Sequence, residues 1–106
     1  MDVETFKAIS HPFRKHVLET LADGQPHATA SLIEGFPMTK GAVSQHLKIL
    51  RESHLVIEIK TGRHKHYCLD STGVADVLQW AETFQAFWTG RMRNLNTYLE
   101  KQHGED

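Results

Sequence analysis

A chain of 106 residues, 40% apolar and 24% charged, has room for one modest hydrophobic core and the composition of an ordinary folded protein. No run approaches the roughly 18 apolar residues of a membrane span, and a single cysteine, Cys68, excludes an internal disulfide and a multi-cysteine zinc site. The net charge of −1 excludes a uniformly basic protein, yet residues 39–69 sum to +4 while both flanks are acidic, so phosphate contacts belong in the middle of the chain.

The opening MDVETFKAIS lacks the basic and apolar stretches of a secretory signal, and a cytoplasmic protein is expected. Phe6 and Ile9 predict a short first helix that stops at His11-Pro12, because a residue before proline is pushed out of the helical region. Pro12 opens a second helix carrying Phe13, Val17, Leu18 and Leu21 at helical spacing, closed by Asp23-Gly24. A short helix over Thr29 to Gly35 follows, broken by Gly35-Phe36-Pro37.

Thr39 is placed to cap a helix running to about Ser53. One face of that helix carries Val43, Leu47 and Leu50; the other carries Gly41, Ser44, Gln45, Lys48 and Glu52. Val56 to Lys60 and Lys65 to Leu69 read as two strands joined by a turn at Thr61-Gly62-Arg63-His64, a basic hairpin. Asp70 then caps a last helix whose apolar positions Val74, Val77, Leu78, Ala81, Phe84, Trp88, Met92, Leu95 and Leu99 recur every three or four residues. Such a helix outruns the small domain it belongs to and must find another partner.

A short helix, a tight turn and a second helix showing small polar side chains suit entry into the major groove of DNA, although a solvated amphipathic helix has the same pattern. Ser44 and Gln45 can exchange hydrogen bonds with base edges, while Lys40, Lys48 and Arg51 can hold phosphates. The hairpin sharpens this reading, because Lys60, Arg63, His64, Lys65 and His66 gather at or near its tip, directly after the candidate recognition helix. A winged helix is the result, with Arg63 the side chain best placed for the minor groove.

The segments GAVSQHLKILRESHLV (residues 41–56) and TGRHKHYCL (residues 61–69) resemble the recognition helix and wing of the ArsR family of winged-helix repressors. FKAISHPFRKHVLETL (residues 6–21) is similar to that family's first two helices, and the aromatic tail from Trp80 to Tyr98 to a subset with a long final helix. The resemblance implies a mainly α-helical winged helix-turn-helix with a β-hairpin wing, dimeric through long N- and C-terminal helices. On it, residues 1–106 form one domain with the recognition helix at about 39–53, the wing at about 56–69 and the dimerisation helix at about 71–101. The implied function is a homodimeric repressor on an inverted-repeat operator in double-stranded DNA. The resemblance implies recognition residues that include Ser44, Gln45, His46 and Lys48, with Arg63 on the wing. The full set expected at the DNA is Thr39, Lys40, Gly41, Ser44, Gln45, His46, Lys48, Arg51, Lys60, Arg63, His64 and Lys65, His46 being open to a packing role as well.

The dimer interface is expected to hold Phe6, Ile9, Trp80, Phe84, Phe87, Trp88, Met92 and Leu95, a stripe too wide for one domain to cover. Neither cofactor nor metal is expected. TASLIEG (residues 29–35) has no cysteine where metal-sensing members carry a pair, and the last helix offers only Glu100 and His103 near its end. His64 and His66 could share a metal but leave zinc underfilled. A metal- or thiol-responsive repressor, the latter through Cys68, and a winged-helix module that binds protein remain as alternatives, and the effector is open. With no phosphate loop, nucleophile motif or metal triad, an enzyme is not expected.

Overall fold

The computed structural model describes the backbone of residues 1–104 and the side chains as far as Arg91. Met92, Leu95, Glu100 and His103 therefore lie outside the described side chains. Helix α1 (Val3–Ile9) starts where the Asp2 carboxylate accepts the Thr5 N–H at 2.7 Å, a bond that holds the carboxyl below its ordinary pKa. It is seven residues long, so the expected long N-terminal helix is corrected to two turns. Helix α2 (Pro12–Thr20) opens on the proline, as its fixed φ favours, with His11 Nδ1 accepting the Phe13 N–H at 3.1 Å.

Strand β1 (His27–Ala28) leads directly into α3 (Thr29–Leu32). The expected helix to Gly35 stops at Leu32. The chain turns instead, with the Phe36 N–H donating to the Ile33 carbonyl at 2.9 Å and Gly35 at φ +84°, a conformation open to glycine. Helix α4 (Lys40–Glu52) is capped as expected by Thr39, whose hydroxyl accepts the Ala42 N–H at 3.1 Å. Strands β2 (Val56–Thr61) and β3 (His64–Leu69) form the hairpin, and Asp70 caps α5 (Ser71–Gly104), which runs for 34 residues. At about 1.5 Å per residue that helix spans about 50 Å.

The sheet has the order β1-β3-β2, antiparallel throughout, with His27 opposite Tyr67 and Glu58 opposite Tyr67 on the other side. Helical periodicity turns Phe13, Val17 and Leu21 inward from the α2 region and Val43, Leu47 and Leu50 inward from α4; Leu32, Leu55, Val56 and Tyr67 close the same core. Each fully buried leucine or phenylalanine there contributes about 2 kcal/mol of transfer free energy.

Among the described residues, only the start of α5 joins this core. Val74 and Val77 pack against it, and the Gly73 N–H donates to the His54 carbonyl at 2.8 Å, where His54 adopts φ 58°. Beyond Val77 the described side chains of α5 stand in solvent: Trp80, Phe84, Phe87 and Trp88 are 40 to 65% exposed. Phe6, also exposed, meets the Trp80 ring edge-on at 6.1 Å, and Trp80 meets Phe84 at 5.0 Å. The aromatic side chains expected at a dimer face thus form one exposed stripe joining α1 to α5. Ile9, also expected there, is half-buried against the core.

Candidate nucleic-acid interface

Helix α4 shows to solvent Lys40, Gly41, Ser44, Gln45, Lys48 and Arg51, together with its cap Thr39. Thr39 takes the amides of Ala42 and Val43, those of Lys40 and Gly41 precede the first intrahelical bond, and Lys40 adds its charge at the positive end of the helix dipole. Both features favour a phosphate at this end of the helix.

The wing approaches the same end. A groove of about 540 Å³ lies between α4 and the hairpin, and Lys40, Ser44, Arg63, His64 and Lys65 line it together with Thr29, Met38 and Tyr67. Residues more than twenty positions apart in sequence therefore share one concave, basic surface. Gln45 and Lys48 lie on the exposed side of α4 beyond the groove wall, and Lys60 stands opposite Lys65 across the hairpin. The Gly62 turn, at φ 62°, lets the strands reverse tightly enough to carry Arg63 to the tip.

Three of these cations have acidic neighbours. Lys48 lies 3.9 Å from Glu52 on the helix surface, an exposed pair worth little in water. Arg51 and Lys65 both reach Glu58, at 3.3 and 3.5 Å, and the Tyr67 hydroxyl donates to Glu58 Oε1 at 2.9 Å. Strand alternation puts Glu58 on the inward face beside Val56, where its side chain is only 14% exposed. Burial opposes its ionisation, but the Tyr67 hydroxyl and the charges of Arg51, Lys65 and Lys60 outweigh it and hold the carboxyl below its ordinary pKa. The Tyr67 phenol is pushed up to about 12, first by burial and then by the carboxylate it bonds.

Glu58 thus ties the end of α4 to both strands of the wing. Glu58→Ala is expected to cost about 2 kcal/mol, since it orphans a buried hydroxyl and leaves two cations facing each other. A thermal melt unchanged from the parent would refute that role.

His46, expected among the DNA contacts, is turned sideways into the protein. It is half-buried, its ring lies 4.1 Å from His11 and 5.5 Å from Phe13, and its Nδ1 accepts from Arg14 Nη1 at 2.8 Å. His64 and His66 share one face of β3, and among the described residues no group of three or more His, Cys, Asp or Glu side chains is gathered to hold a metal. Cys68 is a half-buried free thiol opposite Ile57. Among the described residues no helix is long and apolar enough to cross a membrane.

Residues 11–58, from the cap of α2 through α4 and into β2, match the model of the bacterial regulatory protein arsR family. Over 101 residues the chain is 32% identical to the HTH-type transcriptional regulator Rv2034 of Mycobacterium tuberculosis, covering 95% of this chain and 90% of that one. The chain belongs to the ArsR family. The transcriptional repressor SdpR of Bacillus subtilis is 33% identical over 79 residues, which are 74% of this chain and 87% of SdpR. Among solved structures, the ArsR family transcriptional regulator RHA00566 superposes with a TM-score of 0.68 at 26% identity, covering 81% of this chain and 88% of the other. Membership makes this ArsR-family chain a DNA-binding winged helix-turn-helix regulator of transcription.

Proposed function

We propose that the chain is a cytoplasmic, sequence-specific repressor that binds an inverted-repeat operator as a homodimer and acts by occupying DNA, with no catalytic step. The observation that carries this reading is the shared basic surface of α4 and wing, where Ser44 lies in one groove with Lys40, Arg63, His64 and Lys65. Ser44 and Gln45 read base edges, Lys40 and Lys48 fix the helix on phosphates, and Arg63 reaches the minor groove from the wing tip. Repression is supported by the likeness to SdpR.

Two copies pair through the exposed stripe of Phe6, Trp80, Phe84, Phe87 and Trp88. Such an apolar face is costly in water, and a two-fold axis through it places two α4 helices about one DNA turn, roughly 34 Å, apart. Sedimentation is expected to find a dimer at micromolar concentration and a monomer for the Phe84→Glu, Trp88→Glu double variant.

Fluorescence anisotropy against the DNA upstream of the chain's own gene and a shuffled duplex tests the whole reading. A preference for the upstream DNA of about a thousandfold, weakening as salt rises, is expected. Absence of binding to either duplex at low salt would overturn it.

A further inference from the structure

Arg14 stands where three elements meet. From α2 its Nε donates to the Ala8 carbonyl at 2.7 Å and its Nη2 to the Lys7 carbonyl at 3.1 Å, both at the C-terminal end of α1. Its third nitrogen, Nη1, donates to His46 Nδ1 on α4 at 2.8 Å. One planar guanidinium thus fastens the recognition helix to the helix whose Phe6 begins the exposed aromatic stripe. A guanidinium carries its donors in a fixed fork and has no acceptor, so the bond to His46 exists only while Nδ1 keeps its lone pair.

The groups facing His46 make the consequence definite. From the start of α2 these are the His11 ring at 4.1 Å and the Arg14 guanidinium; its other close aromatic neighbour there, Phe13, is neutral. Neither partner offers the imidazolium an acceptor: the Arg14 guanidinium carries donors only, and His11 Nδ1 is already taken by the Phe13 N–H. Burial first, and then the charges of His11 and Arg14, favour the neutral ring. A proton on Nδ1 would set a cation against Arg14 and sever the link.

We propose that Arg14 and His46 are positioning residues that couple the α1 side of the molecule to the DNA-reading helix, and that protonation of His46 uncouples them and weakens operator binding in mildly acidic solution. The proposal rests on the DNA-binding reading above for its last step only; the mechanical link between α4 and α1 stands on geometry. The sign follows from linkage. A histidine whose folded pKa is depressed lends its stability to the coupled state above the unfolded value, about 6.5, and withdraws it as pH falls toward the lower folded value. Lys40, His64 and Lys65 line the basic groove as well, so the contribution of His46 is read by difference between the parent and its variants.

The test compares the parent, His46→Gln and Arg14→Met between pH 7.5 and 5.5. In the first arm, anisotropy on the duplex from upstream of its own gene measures each protein's ratio of affinities at the two pH values. The parent is expected to lose several-fold more affinity on acidification than either variant. In the second arm, amide resonances of Ile9 and Ser10, beside the carbonyls that Arg14 holds, are followed over the same range. They are expected to shift with the His46 ring in the parent and to lose that component in both variants, whose folding the same spectra report. Parallel affinity profiles in all three proteins would overturn the effect on DNA, and α1 resonances indifferent to His46 would overturn the coupling. If no protein binds DNA at either pH, the DNA-binding reading fails while the resonances still decide the link.

Discussion

Replacing Gly73 by alanine is expected to lower the melting temperature by about 15 °C, the equivalent of roughly 2–4 kcal/mol for a domain of this size. A methyl group on Gly73 would collide with the carbonyl group of His54 and approach the carbonyl oxygen of Ser53, all backbone atoms that no side-chain rotation can move. The same backbone accepts the Gly73 N–H, so α5 cannot step aside without losing the bond that seats its first turn against the end of α4. Gly41 provides the contrast: it lies in the first turn of α4 with nothing within 4 Å, and Gly41→Ala is expected to raise stability by roughly a few tenths of a kcal/mol through helix propensity. Differential scanning calorimetry on both variants checks the pair. A Gly73→Ala protein melting within a few degrees of the parent would show that the α4–α5 junction is looser than its hydrogen bonds imply.

Gln45→Ala is expected to weaken operator binding by about 10- to 100-fold, the 1–3 kcal/mol carried by a bidentate contact to a base, while leaving the dependence on salt unchanged. Arg63→Ala or Lys48→Ala should instead flatten the plot of log affinity against log salt by about 0.9 for each phosphate the side chain had neutralised. The difference separates reading from holding. Gln45 is uncharged and exposed on the outer side of α4, so its removal takes away information and no counterion release. Equal weakening on operator and shuffled duplex would assign Gln45 to the backbone and displace it as a reader.

What the sequence revealed and concealed divides along the range of the interactions. The caps at Thr39 and Asp70, the start of α2 at Pro12 and the outward set Ser44, Gln45 and Lys48 were legible because each depends on spacing within a few residues. Strand β1 was not: two residues, His27 and Ala28, have no alternation to announce, and their partners Tyr67 and His66 lie far along the chain. For His46 the sequence left packing and DNA contact both open, and could not choose between them for the same reason. The residue sits at the border of the polar and apolar sides of α4, and Arg14, 32 residues earlier, decides which way it goes. Glu58 left a faint signal. Strand alternation alone places it on the face of Val56, and an inward carboxylate demands partners, but nothing local names Arg51, Lys65 and Tyr67 as those partners. The same alternation leaves Ile57 and Ile59 exposed on the opposite face.

Strand β1 also constrains how the protein is made. Pairing of His27 with Tyr67 closes a loop of about 40 residues that contains α3 and α4, and the sheet cannot form until β3 has been synthesised. At about 5–20 residues per second, roughly one to three seconds separate the end of α4 at Glu52 from the end of β3 at Leu69. During that interval on the ribosome α4 can pack on α2 but has no finished sheet beside it, and the groove it shares with the hairpin is complete only when β3 clears the exit tunnel.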